Sequence, residues 1–173
     1  IIYTGDYINP AYLSNMSVTE RSDIVLYNPK KGASFTEQIM ARLHDVSFMP
    51  IFSFTQEQVI KLMDSSKLYI DFGEHPGKDR MPRESASRGC CIITDREGSA
   101  KYRDDVNIPE EYKFDRDSKN LPAICEKIRE VLEHYETCKA DFDCYRQSIR
   151  HERHQFQEGI KALAKRIYQP RFS

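Results

Sequence analysis

The sequence predicts an α/β fold: a parallel sheet with helices on both faces, closed by two C-terminal helices. Three observations carry this prediction. Short apolar runs alternate with amphipathic segments in the order strand, helix, strand, helix, strand, helix, strand. The runs are continuously apolar, as in strands buried on both faces. Two long apolar stripes at helical spacing follow a polar stretch.

Taken in order, residues 1–20 are weakly patterned, and Tyr3, Tyr7, Tyr12 and Leu13 read as a strap or linker packed on something else. Residues 21–173 form the main domain. Ile24–Tyr27 is the first strand, stopped by Asn28-Pro29. Ser34-Phe35-Thr36-Glu37 reads as a capping box, with Phe35, Ile39, Met40 and Leu43 on one helix face. Val46–Phe52 is the second apolar run. Thr55-Gln56-Glu57-Gln58 is a second capping box, ahead of Val59, Ile60 and Met63. Leu68–Phe72 is the third strand. Pro82 and Gly89 bracket a two-turn helix that starts at the proline. Cys90–Thr94 is the fourth strand. Leu121, Ile124, Ile128, Val131, Leu132 and Tyr135 form one closing stripe. Phe142, Tyr145, Ile149, Phe156, Ile160, Leu163 and Ile167 form the other, with a break expected around Glu152–His154. The whole is a Rossmann-like sheet. Right-handed crossovers place every strand-to-helix loop on its carboxyl edge, where such sheets bind ligands.

Composition narrows the function classes. The chain has 173 residues, 26 Lys or Arg and 27 Asp or Glu, which argues against a strongly basic nucleic-acid domain. No apolar run approaches the ~20 residues of a membrane span, and the opening residues are not expected to be a signal peptide. The first residue is Ile, so the chain is expected to be a piece of something longer. The five cysteines are odd in number and show no metal-binding spacing. They are expected to be reduced and inert, in a cytoplasmic protein that needs neither metal nor cofactor.

Two carboxyl-edge loops concentrate the chemistry. In Asn28-Pro29-Lys30-Lys31-Gly32, free backbone N–H groups and two ammonium groups suit a phosphate, although an ordinary exposed turn has the same composition. The loop is neither a Walker A sequence nor a GxGxxG. The second loop, Gly73–Glu84, packs Glu74, His75, Gly77, Lys78, Asp79, Arg80 and Arg83 ahead of Glu84. Glu84 is expected in the first turn of the helix. There the dipole favours a carboxylate, and a carboxylate there could also hold a vicinal diol such as a ribose. His75 is either a solvated loop histidine or part of a site.

Together, Leu68–Phe72, the loop, Pro82-Arg83-Glu84-Ser85-Ala86-Ser87-Arg88-Gly89-Cys90 and the strand after it resemble the donor-binding block of group 1, retaining-type GT-B glycosyltransferases. Asp23–Gly32 is similar to that family's first strand and lysine-glycine turn. Asp95–Ala100 falls at its glycine-bearing loop, and the closing helices resemble its tail. The resemblance covers roughly residues 20–168. Glu74 and Glu84 have nine residues between them where the family has seven, and Cys90 stands at the family's usual proline.

The resemblance implies the C-terminal, donor-binding half of a glycosyltransferase. Lys31 and Glu84 would carry the chemistry, with Lys30 beside Lys31 at the leaving phosphate. Glu74, His75, Gly77, Lys78, Arg80, Arg83, Gly32 and Phe54 would complete a site for a UDP- or GDP-sugar. An N-terminal domain and a glycan acceptor are the implied partners, and this half alone is expected to be inactive. Two other readings remain: a non-catalytic α/β interaction domain, and a fragment of a GT-B sugar-nucleotide epimerase with His75 as base. Residues 146–173 hold seven Lys or Arg and two acids on a helix with an apolar stripe. That combination fits either the inner face of an acidic membrane or a stripe that covers the domain beneath solvated charges.

Overall fold

The computed structural model describes residues 4–15 and 20–168. Five parallel strands lie in the order β2-β1-β3-β4-β5: β1 Ser22–Tyr27, β2 Ser47–Pro50, β3 Ser66–Asp71, β4 Cys91–Asp95 and β5 Lys113–Phe114. Six α-helices flank them: α1 Ala33–Met40, α2 Gln56–Ser65, α3 Arg80–Ser87, α4 Leu121–Glu133, α5 Tyr135–Ala140 and α6 Asp143–Tyr168. The chain is therefore α/β with a Rossmann-like sheet closed by C-terminal helices as the sequence predicts, except that they number three rather than two, since the first stripe breaks at His134 and Tyr135 opens α5. Val25, Leu26, Leu68, Tyr69, Ile92 and Ile93 are fully buried, so the continuous apolar runs reflect strands covered on both faces.

From β1 the chain crosses outward to β2. It then returns past β1 to β3 and continues to β4. The winding therefore reverses between β1 and β3, and this strand order opens its ligand crevice at that switch point. The loops after β1 and β3 meet there.

Three local expectations change. The Ser34 capping box does not form: α1 starts at Ala33, capped by Gly32 in the left-handed region (φ 56°) with no side-chain cap bond. The Thr55 box does form, with Thr55 accepting from the Gln58 N–H and Gln58 reaching back to the Thr55 N–H. Helix α3 starts at Arg80 rather than Pro82, because the Asp79 side chain caps it by accepting from the Met81 N–H. Glu84 is thus the fifth helical residue and lies past the first turn. Helix α6 runs unbroken through Glu152–His154. The charge that interrupts its stripe, Glu152, is buried against Arg83 (2.8 Å) and Lys78 (2.8 Å).

The N-terminal strap packs on the same core. Ile8 and Tyr12 are buried in it, and Asp6 pairs with Arg83 at 2.6 Å. Tyr3 lies outside the described residues.

Candidate functional site

The β1–α1 and β3–α3 loops are locked together by contact too close for side chains. A Cβ on Gly32 would sit 1.8 Å from the Phe72 carbonyl oxygen, and one on Gly98 would sit 2.1 Å from the His75 carbonyl oxygen. Both glycines also hold positive φ, which other residues adopt at a cost. Ser99 adds two bonds, donating its N–H to the His75 carbonyl (2.9 Å) and its hydroxyl to that of Gly77 (2.6 Å).

Inside this frame lies a buried ionic cluster. The His75 side chain is fully enclosed. Its Nδ1 is 3.4 Å from Asp79, and its Nε2 is 3.4 Å from Asp95 and 3.8 Å from Asp71. These are ion pairs rather than hydrogen bonds, since neither ring nitrogen has a hydrogen-bond partner among the described residues. Burial alone would push the His75 pKa down, but the carboxylates of Asp79, Asp95 and Asp71 outweigh it and hold it up at about 9. Burial would likewise raise Asp79. His75 and Lys31, which is ion-paired to Asp79, outweigh that and keep it down at about 2. Asp71 accepts from the Tyr69 hydroxyl at 2.9 Å, and burial raises its pKa.

Asp71, His75 and Asp79 each offer a ligand atom within 4.8 Å of the others, so this trio could hold a metal ion. Lys31 and the protonated imidazole already balance the carboxylates, however, and an ion would have to displace both. A histidine that is enclosed and protonated to about pH 9 also cannot accept a proton from a substrate at neutral pH, which weighs against His75 as an epimerase base.

The other residues singled out from sequence divide into two groups. Arg83 and Lys78 are committed to the framework. Arg83 is fully buried, bonded to Asp6 and Glu152 and to the carbonyls of Asp79 (3.0 Å) and Lys78 (2.9 Å), while Lys78 pairs with Glu152. Exposed on the edge are Glu74, Gly77, Lys30, Arg80 and Phe54. Lys30 carries its ammonium 5.1 Å from the Phe52 ring, a cation–π contact. Phe52 and Phe54 are 53% and 40% exposed and flank Ser53, a non-glycine residue at φ 59°. Lys31 is about one-quarter exposed despite its pairing with Asp79.

Glu84 differs from all of these. It is 5% exposed, its carboxylate has no hydrogen bond or ion pair among the described residues, and its oxygens keep contact with solvent. Burial raises its pKa, and the more distant charges of Arg80 and Arg83 only partly oppose that. Tyr12 of the strap lies near enough for its own pKa to be raised, by burial first and then by Glu84.

Beside the β3–α3 loop, a shallow polar depression of about 520 Å³ is lined by Pro76, Gly77, Arg96, Gly98, Lys101 and Tyr102, among others. Sequence reasoning placed the Asp95–Ala100 loop at this edge but did not single out Lys101 or Tyr102. Neither residue falls within a motif that would mark it. No family model matches the chain, and no curated protein matches it either.

Proposed function

We propose that the chain is the nucleotide-sugar-binding domain of a glycosyltransferase that passes a sugar to a glycan acceptor. The observation that carries this reading is Glu84. A carboxylate sunk into the surface, with its oxygens open to solvent and no protein partner among the described residues, is placed for a ligand to complete it. The helix dipole does not account for Glu84, since the effect fades beyond the first turn. The two oxygens of a carboxylate suit the 2′- and 3′-hydroxyls of a ribose.

The surroundings support the same ligand. Lys30, Lys31 and Arg80 are the cations that would meet a diphosphate and neutralise the charge that grows on it as it leaves. Phe52 and Phe54 offer faces on which a base can stack. The depression beside Gly77 has room for a sugar ring.

Calorimetric titration with UDP, GDP and the corresponding nucleosides tests this reading. Diphosphates are expected to bind more tightly than nucleosides, and Lys31→Ala to weaken the diphosphate selectively. If no nucleoside diphosphate binds, or if Lys31→Ala weakens nucleoside and diphosphate equally, the reading fails.

A further inference from the structure

Helix α6 outruns the body of the protein. Its last buried side chain is Glu152, and no side chain from Arg153 to Tyr168 is fully buried. Those sixteen residues extend about 24 Å at the helical rise. The direction follows from its contacts. Arg146 lies near Cys90 and Cys91 at the start of β4, whereas Glu152 meets Lys78 and Arg83 beside the β3–α3 loop. The helix therefore rises towards the carboxyl edge, and its distal half overhangs that edge.

The overhang has two faces. Phe156, Ile160, Leu163 and Ile167 are spaced four, three and four residues apart and so share one side. Phe156 touches the Tyr7 ring edge-on, with centroids 5.2 Å apart, while Ile160, Leu163 and Ile167 are 42%, 38% and 66% exposed. At 100° per residue, Arg153 and Arg166 border this stripe, and Lys161 and Lys165 lie behind it. The stripe therefore covers the domain only through Phe142, Tyr145 and Ile149, as one of the two readings open from sequence had it, and its distal part is exposed.

Charge selects the occupant. Residues 153–173 hold five Lys or Arg and a single acid, Glu158, whereas the first 152 residues hold 21 and 26. A second copy of the helix would set these cations against one another. The segment is too polar to cross a membrane. An apolar stripe bordered by arginines, on a helix whose other faces are polar and basic, fits the plane of an anionic lipid surface.

We propose that residues 153–168 lie in the interface of an anionic bilayer, with the stripe among the acyl chains and the Lys and Arg side chains on the headgroups. This would keep the carboxyl edge of the sheet close to the membrane surface, whatever that edge binds.

Sedimentation with phosphatidylcholine vesicles, with and without phosphatidylglycerol, tests the proposal. The chain is expected to pellet with the anionic vesicles, to release at high salt and to ignore the neutral ones. Joint Ile160→Ser and Leu163→Ser substitution should abolish pelleting. Joint Lys165→Gln and Arg166→Gln substitution should lower the partition by about 25-fold, roughly fivefold per cation. All variants should melt with the parent, since these side chains are exposed. Failure of the parent to pellet, or equal pelleting with neutral vesicles, overturns the proposal. So does a dimer, seen by sedimentation equilibrium, that the serine variant dissolves while vesicles are ignored, because the stripe would then belong to a second copy.

Discussion

Two loops on one edge of the sheet, 72–79 before α3 and 51–54 before α2, are built in opposite ways. The first encloses His75, ties Asp79 to Lys31 and Lys78 to Glu152, and is clamped by Gly32 and Gly98. The second exposes Phe52 and Phe54 around a strained Ser53. A fixed loop can hold charges where they are needed without reorganising, whereas an exposed aromatic loop can adapt to a flat ligand face. Polar density therefore does not by itself mark a contact surface. Much of it in 72–79 maintains the frame, and the groups left over, Glu84 above all, are the ones we propose to face a ligand.

The sharpest way to break the clamp is Gly32→Ala. The left-handed backbone alone costs about 1–2 kcal/mol, and the overlap with the Phe72 carbonyl adds to it, so a total loss of about 3 kcal/mol or more is expected in urea unfolding. Gly77→Ala in the same loop is the control, because its Cβ would meet nothing within 4 Å. It should change stability by less than about 0.5 kcal/mol. Equal effects at the two glycines would show that the loops are not locked.

The ionic cluster gives a pH signature of known sign. His75 titrates at about 9 in the folded chain and near its ordinary 6.5 when unfolded, so folding favours its protonated form. The stability it supplies is complete below about pH 6.5 and is lost as pH rises through about 9, by up to about 3 kcal/mol. His75→Gln should flatten that decline. Asp79, held down at about 2, acts at the other end, where its contribution is lost as pH falls below about 4. A stability profile that is flat between pH 6.5 and 9 in the parent would mean that His75 is not bound by its three carboxylates.

Glu84→Gln should separate ligand from frame. Binding of a ribonucleoside diphosphate is expected to weaken about tenfold, or about 1.4 kcal/mol, with a smaller loss for the 2′-deoxy ligand. Melting should change little, because the carboxylate makes no hydrogen bond or ion pair among the described residues for the amide to break. A large drop in melting temperature with unchanged affinity would make Glu84 structural. Phe54→Ala sharpens the other side of the comparison. Stability should hold, and nucleoside affinity should fall about fivefold, the loss of roughly 1 kcal/mol of stacking. Unchanged titration isotherms would remove the 51–54 loop from the site.

Much of this fold was legible in the sequence because four strands are long enough to write continuous apolar runs. The fifth was not. Lys113–Phe114 spans two residues inside a polar stretch, and its buried lysine is satisfied by the Val106 carbonyl at 2.8 Å, a partner no local pattern announces. Helix limits are hard to read where a cap competes with a breaker: Pro82 looks like a start, while the Asp79 side chain caps a helix that begins two residues earlier, at Arg80. In the site, the crowding of Lys78, Asp79, Arg80, Arg83 and Glu84 was visible, but its division into frame and remainder was not. That division rests on Glu152, which lies 69 residues beyond Arg83 in the chain. In sequence, Glu152 reads only as an interruption of a stripe.

The sheet ends in a four-residue strand closed by Pro50 on one side and a two-residue strand on the other. Strand edges are where one chain recruits another into ordered aggregates, and both length and proline limit that recruitment. At roughly 3.3 Å per residue the longer edge offers only about 13 Å of unpaired backbone. The interior strands are among the most apolar segments of the chain, but in the native state none of them is within reach of a neighbour. Amyloid-type assembly would therefore have to begin from unfolded molecules, and conditions that keep the chain folded should keep it dispersed.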